Sequence, residues 1–105
     1  MTITEIQKAV HKTAREKGWW DEPRSDLECI ALMHSELSEA VEAFRDGNPA
    51  SIKIQQFSEA EEEYADVIIR LLDHAEHLGF DIQGALAAKM KYNEGREYRH
   101  GGRLA

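Results

Sequence analysis

The fold is decided by residues 26–46, which read DLECIALMHSELSEAVEAFRD. At about 100° of rotation per residue, one stripe of a helix over this segment collects six residues. They are Leu27, Ile30, His34, Leu37, Val41 and Phe44. A second apolar zone, on another side, collects Cys29, Leu32, Met33, Ala40 and Ala43. A helix that is apolar on more than one side is typical of a protein interior, so we expect the first stripe, with His34 on it, to be a core face.

Residues 58–78 repeat this pattern. One face of the predicted helix carries Ala60, Tyr64, Val67, Ile68, Leu71, Ala75 and Leu78, and beside it lie Ala65, Ile69 and Leu72. Four short helices cannot cover two such helices on all sides. We therefore expect a partner chain, with a small helical bundle completed by homodimerisation across a two-fold axis.

Local signals mark where the helices begin and end. Thr2 with Glu5, Ser25 with Glu28, and Ser58 with Glu61 have the spacing of the capping box at a helix start. Gly18, Gly47 and Gly79 are placed to end helices, because glycine adopts the left-handed conformation without strain. These signals predict helices near 4–17, 26–46, 58–78 and 81–94, in one all-α domain spanning 1–105. Residues 95–105 are expected to be an irregular basic tail.

Composition narrows the class of protein. Of the 105 residues, 42% are hydrophobic and 31% are charged, which is typical of a folded globular domain. No apolar run approaches the roughly 20 residues that a membrane helix needs, and the first residues lack a signal-peptide pattern. Cys29 is the only cysteine, which excludes an internal disulfide and a multi-cysteine zinc site. We expect a cytoplasmic protein with no membrane partner.

The charge distribution argues against polymeric nucleic acid as a partner. The net charge is −7, whereas affinity for a phosphate backbone depends on clustered Lys and Arg. Residues 89–105 nevertheless hold five basic residues against two acidic ones, a net charge of +3, which leaves −10 on residues 1–88. An acidic body with a basic tail suits a small anionic ligand that arrives with metal cations.

Two pairs of carboxylates could hold such cations. Glu36 and Glu39 are three residues apart on one predicted helix, and Glu63 and Asp66 repeat the spacing on the next. If the helices pack, four carboxylates converge, and two of them about 5 Å apart repel by roughly 3 kcal/mol at a dielectric near 20. Oxygen ligands favour Mg²⁺ or Mn²⁺ over zinc.

The alternative is that these carboxylates are solvated helix faces. On the third helix, Glu62, Asp66 and Arg70 have the spacing of an i,i+4 ladder, and Glu63 and Asp66 project onto the polar side. This alternative explains Glu36 least well, because Glu36 lies at the centre of the second apolar zone.

The two pairs together resemble a known metal-binding signature. E-x-x-E, 23 intervening residues and E-x-x-D, followed by Lys89-x-x-x-Asn93, are similar to the pattern of the MazG-like all-α nucleoside triphosphate pyrophosphohydrolases. The surrounding segments also match, from residues 17–24 (KGWWDEPR) through 34–40 (HSELSEA) and 62–67 (EEYADV) to 99–102 (RHGG). The resemblance therefore extends over almost the whole chain.

The resemblance implies a dimer or dimer of dimers of helical bundles. It also implies Mg²⁺-dependent hydrolysis of a (deoxy)nucleoside triphosphate, with Mn²⁺ as a possible substitute, to the monophosphate and pyrophosphate for nucleotide-pool cleaning. In that scheme the metal ligands are Glu36, Glu39, Glu63 and Asp66. A dUTP or dCTP specialist and a phosphoribosyl-ATP pyrophosphohydrolase stay open within this class, and a non-enzymatic helical interaction module stays open outside it.

Several further residues are candidates for substrate contact. Lys89 and Asn93 would present an ammonium and an amide to phosphates or sugar from one helical face, and Arg96 would extend that contact; the alternative is a solvated basic helix end. Trp19 and Trp20 lie between helices, where one would cap the core and the other stack on a base. His74 and His77 show no third ligand, so we do not expect zinc there.

Overall fold

The chain is all-helical in the computed structural model, which describes residues 1–96 and 98. It has four helices: α1 (Ile3–Glu16), α2 (Asp26–Arg45), α3 (Glu59–Leu78) and α4 (Ile82–Glu94). Each end lies within one residue of its predicted position. Within residues 1–96 and 98 there is no strand, only an isolated antiparallel bridge between Ala50 and Ser58. Most of the predicted basic tail, residues 97 and 99–105, lies outside the described residues.

The helix ends form as the sequence predicts, with one exception. Complete capping boxes join Thr2 to Glu5 and Ser58 to Glu61. At α2 only the serine half forms, because the Glu28 carboxylate instead accepts a hydrogen bond from Arg24 at 3.3 Å. The glycines at the predicted stops have φ values of +87°, +83° and +74° at positions 18, 47 and 79, which confirms that these helices end in left-handed turns.

Helix α3 is the centre of the fold. Helices α1 and α2 each pack against α3, and α4 packs mainly against α1. Buried polar groups fix the α1–α3 contact: Gln7 donates from Nε2 to Glu76 at 3.0 Å and to the Phe80 carbonyl at 2.9 Å. Helix α4 is tied to α1 by a hydrogen bond from the Thr4 amide to Gln83 at 3.0 Å. No residue of α4 is buried, so the core lies between α1, α2 and α3.

The loop between α2 and α3 is tightly bonded. The Asn48 side chain accepts from the Ala60 amide at 2.8 Å, and the Ser51 amide donates to the Phe57 carbonyl at 2.8 Å. Ser51 itself is only 1% exposed. These hydrogen bonds hold Ser51 against the start of α3.

Within the single chain, α2 buries the second apolar zone and exposes the first stripe. Cys29, Ala40 and Ala43 are buried, whereas Leu27 is 80% exposed and Phe44 is 57% exposed. The prediction that the first stripe is a core face is therefore wrong for the isolated chain, and so is the prediction that His34 is a core histidine, since its side chain is exposed. The reason is that α3 covers the side of α2 that carries Glu36.

The described residues contain no helix that is both long enough and apolar enough to cross a membrane.

Candidate functional site

A cavity of about 820 Å³ opens between α1, α2 and α3. Part of its lining is charged: Glu36, Glu39, Lys53, Glu62, Glu63, Asp66 and Arg70. Another part is mainly apolar: Ala9, Val10, Thr13, Ala14, Trp19, Cys29, Leu32 and Ile69. A volume of this size lies within the range of small-molecule sites.

The four predicted carboxylates all line this cavity, in two overlapping groups. One oxygen each of Glu36, Glu39 and Glu63 lie within 4.8 Å of one another, and the same holds for Glu62, Glu63 and Asp66. Glu63 belongs to both groups. Opposite oxygens around an octahedral Mg²⁺ are about 4.2 Å apart, given Mg–O distances of 2.0–2.1 Å. Oxygens that are adjacent around the ion are only about 2.9 Å apart, so the side chains of each group must draw closer together to bind a small divalent cation.

Glu63 supplies an independent sign that a cation belongs here. Its Oε2 atom is buried and has no hydrogen-bond partner. A buried oxygen without a partner loses its hydration without compensation, which costs about 1–3 kcal/mol and more when the group is charged. The chemistry of the oxygen donors and this unpartnered atom both fit a hard cation such as Mg²⁺ or Mn²⁺.

The carboxylate cluster perturbs its own ionisation. Burial, followed by the close approach of the Glu39 and Glu36 carboxylates and by the negative charges of Glu39 and Asp66, raises the pKa of Glu63 to about 8. Burial and the charges of Glu36 and Glu62 also raise the pKa of Asp66. Without a bound cation, Glu63 therefore carries a proton near neutral pH. A cation that binds there must displace it.

Glu36 behaves differently because it has a cationic partner. Burial alone would raise its pKa, but hydrogen bonds, first among them the one from Arg70, lower that pKa below its ordinary value. Arg70 donates from Nε to Glu36 Oε1 at 2.8 Å. The expectation that Glu36 is not a solvated surface charge is borne out by its 7% exposure.

Three residues of the charged lining were not among the predicted site residues. Glu62 accepts a hydrogen bond from the buried Ser51 hydroxyl, which holds it in the second group of carboxylates. Lys53, in the α2–α3 loop, lies close enough to lower the pKa of Asp66. Arg70, on α3, donates a hydrogen bond to Glu36 on α2. Two of these residues could have been found from the sequence: Glu62 directly precedes Glu63, and Arg70 lies one helical turn after Asp66. No feature of the sequence marks Lys53 as a site residue.

The two tryptophans occupy different environments, although both line the cavity. Trp20 donates from Nε1 to the buried Asp73 at 2.9 Å, and its ring stacks on His77 with the centroids 4.1 Å apart. Trp19 has the Arg24 guanidinium 3.8 Å and the Arg70 guanidinium 5.0 Å from its ring centroid. Trp20 thus anchors the α1–α2 linker to α3, whereas the ring of Trp19 contacts arginine side chains.

The histidines and the cysteine have structural partners. His74 is buried, and its Nε2 lies 2.9 Å from Asp26 at the start of α2. His11 Nδ1 lies 2.7 Å from Asp73. In the described part of the chain, no histidine joins a group that could hold a metal ion. Burial raises the pKa of the Cys29 thiol, which fits its expected role as a small hydrophobic side chain.

The predicted phosphate contacts of α4 lie elsewhere. Lys89 and Asn93 are exposed on α4 and are not part of the cavity lining in this chain. The Lys89 ammonium lies 4.7 Å and the Arg96 guanidinium 5.3 Å from the centroid of the Tyr92 ring. The structure therefore brings Glu36, Glu39, Glu63, Asp66, Trp19 and Trp20 to one cavity and leaves the α4 residues outside it.

Comparisons of the chain with protein-family models, with curated proteins and with solved structures find no match.

Proposed function

We propose that this chain is a Mg²⁺-dependent nucleoside triphosphate pyrophosphohydrolase. One observation carries the proposal: carboxylates from α2 and α3 converge around a buried, unpartnered Glu63 oxygen in a cavity of about 820 Å³. A helical protein has no structural need for such a cluster, because like charges at this separation destabilise the fold. The cluster becomes favourable when divalent cations enter it.

Glu36, Glu39, Glu63 and Asp66 hold the cations, and Glu62 completes the second group. When bound, the cations supply charge neutralisation for phosphate oxygens and make water more acidic near neutral pH. The protein itself mainly positions the reactants. No protein nucleophile is required, which agrees with the burial and raised pKa of Cys29.

The remaining lining provides the complementary half of a nucleotide site. The apolar part, between Val10 on α1 and Leu32 on α2, accepts the base and sugar. A base stacks on the Trp19 ring only on the face opposite the Arg24 guanidinium, which lies 3.8 Å from the ring centroid. Lys53 and Arg70 provide positive charge beside the carboxylates for the triphosphate. Water attacks the α-phosphorus, and the bond from that phosphorus to the bridging oxygen breaks, so that pyrophosphate leaves. The candidate substrates are dUTP, dCTP and phosphoribosyl-ATP.

We also propose that the active form is a homodimer or a dimer of dimers. The exposed stripe on α2 contains residues 27, 30, 34, 37, 41 and 44, whose alternating spacing of three and four is that of a helix-pairing seam. On α3, Tyr64 and Ile68 are each 55% exposed. The radius of gyration is 16.2 Å, against about 13 Å for a compact chain of this length. Lys89, Asn93 and Arg96 contact phosphates only if assembly brings α4 to the cavity of a second chain.

The test is a chromatographic assay of nucleotide products across deoxynucleoside triphosphates and phosphoribosyl-ATP, with Mg²⁺ and with EDTA. We expect monophosphate only with Mg²⁺, and at least about 100-fold less of it with Glu36→Gln. The matched control is Glu42→Gln, because Glu42 is on the same helix and makes only an exposed pair with Arg45 at 3.2 Å. If no nucleotide is hydrolysed while the chain still dimerises, the exposed stripe would favour a non-enzymatic helical interaction module instead.

A further inference from the structure

Arg70 forms an unusual ion pair within the carboxylate cluster. Its Nε lies 2.8 Å from Glu36 Oε1, and the two side chains are only 30% and 10% exposed. Among the described residues, the other ion pairs of Lys or Arg link residues three or four apart along the chain. The pair between Arg70 and Glu36 instead joins α3 to α2 inside the cavity.

This contact occupies a carboxylate that the metal site needs. Glu36 Oε1 accepts the hydrogen bond from the Arg70 guanidinium, and Glu36 also contributes an oxygen to the group formed with Glu39 and Glu63. A guanidinium and a divalent cation on the same carboxylate repel each other, so binding of the cation weakens the ion pair. The pair is made by a single hydrogen bond through Nε, which is weaker than the bidentate arrangement available to arginine.

Arg70 has a second environment within reach. Its guanidinium carbon is 5.0 Å from the centroid of the Trp19 ring, and cation–π contact persists to about 6 Å. Trp19 lines the same cavity, in the part that we assign to the nucleotide. An arginine held near an aromatic ring beside a phosphate site is well suited to bind phosphate oxygens, because its planar fork matches their geometry.

We propose that Arg70 is an exchangeable counter-ion. It neutralises Glu36 while the cluster holds no divalent cation, and it moves from Glu36 to the triphosphate when cations and nucleotide bind. This inference rests on the proposed function for the identity of the anion. The exchange keeps the cluster folded before cations bind and supplies a positive charge to the substrate afterwards.

The first experiment observes the Arg70 side chain directly. The Nε–H resonance of Arg70 is assigned in a ¹⁵N-labelled chain by its loss in Arg70→Lys. We expect a slowly exchanging resonance in EDTA, its shift or loss with saturating Mg²⁺, and a new position when a non-hydrolysable α,β-methylene deoxynucleoside triphosphate is added. Saturation with Mg²⁺ is verified by calorimetry. A resonance that stays unchanged at saturation would overturn the exchange, because Arg70 would then remain on Glu36.

The second experiment measures affinity. Arg70→Gln should bind Mn²⁺ about tenfold more tightly than the unmodified chain and bind the Mg²⁺-loaded analogue about tenfold more weakly. The matched control is Arg45→Gln, which also removes an arginine charge but from outside the cavity, where Arg45 pairs only with Glu42 at 3.2 Å. Equal effects of the two substitutions would contradict the exchange and indicate a general influence of charge.

The outcomes separate this inference from the proposed function. If Mg²⁺ binds and Arg70 leaves Glu36 but no triphosphate is hydrolysed, the exchange stands and the proposed activity fails. If hydrolysis occurs while the Arg70 resonance is unmoved, the activity stands and the exchange fails. If no divalent cation binds, both fail.

Discussion

Replacing Glu63 with glutamine should stabilise the metal-free protein at alkaline pH and leave it nearly unchanged at acidic pH. Glu63 is the carboxylate shared by both groups of oxygens, and its pKa rises from 4.5 in the free side chain to about 8 in the fold. A group with a raised folded-state pKa contributes stability that is fully present below the unfolded pKa. That stability is lost as the pH rises from about 4.5 to about 8.

The size of the effect follows from the same interval. A pKa that rises from 4.5 to about 8 corresponds to at most about 5 kcal/mol of lost stability across the interval. The side chain is partly exposed, so solvent screening reduces this to about 2 kcal/mol. Glutamine has the same shape and stays neutral, so the variant does not lose this stability. We therefore expect the difference in free energy of unfolding between the variant and the unmodified chain to be about 2 kcal/mol larger at about pH 8.5 than at about pH 5, in favour of the variant.

Urea unfolding followed by circular dichroism, with EDTA and at one fixed protein concentration, measures this difference. Glu42→Gln is the control, since Glu42 is exposed and its pair with Arg45 contributes under about 1 kcal/mol. The reasoning is refuted if Glu63→Gln changes the free energy of unfolding equally at both pH values, or if the variant is the less stable chain at the alkaline pH.

Three further outcomes are expected. Calorimetric titration with Mg²⁺ at neutral pH, in buffers of different ionisation enthalpy, should show release of about one proton per chain, because Glu63 must ionise to bind the cation. The affinity for Mg²⁺ should rise with pH up to about 8. Binding of Mg²⁺ without proton release would contradict this. Light scattering at micromolar concentration should show at least a dimer for the unmodified chain and a monomer for Val41→Glu, whereas an unmodified chain that is monomeric and active would remove the case for assembly. Gly79→Ala should lower the free energy of unfolding by about 1 kcal/mol, because residue 79 has φ +74°; an unchanged midpoint in thermal denaturation would argue against this turn.

The helices were predictable because the signals that define them are local. A serine or threonine with glutamate three residues later, and a glycine at the far end, act within one turn of the chain. The one incomplete prediction, at Ser25, fails for an equally local reason: Arg24 is one residue away from the cap and takes the Glu28 carboxylate. Periodicity likewise identifies which positions share a face.

Periodicity does not identify which face another helix covers. Helix α2 has two apolar sides, and α3 covers the side with Cys29, where Glu36 pairs with Arg70 across 34 positions of sequence. A long-range pair of this kind leaves no local trace. The same limit explains Glu63, which a helical projection places on a polar side although that side lines a cavity.

The predicted contacts of α4 depend on assembly for a similar reason. Lys89 and Asn93 have a spacing that places them on one helical face, but spacing does not specify where the helix docks. In the single chain α4 packs mainly against α1, away from the lining of the cavity. Their role as phosphate contacts stays a prediction that requires a second chain.

Hydrolysis in ¹⁸O-labelled water tests the central claim most directly, because it identifies the phosphorus atom that water attacks. The unmodified chain is incubated with Mg²⁺ and a deoxynucleoside triphosphate that it hydrolyses. The products are separated, and the mass of each is measured by mass spectrometry. If the carboxylate cluster directs water to the α-phosphorus, the label appears in the nucleoside monophosphate and the pyrophosphate is unlabelled. Label in inorganic phosphate, with a nucleoside diphosphate as the other product, would contradict the account.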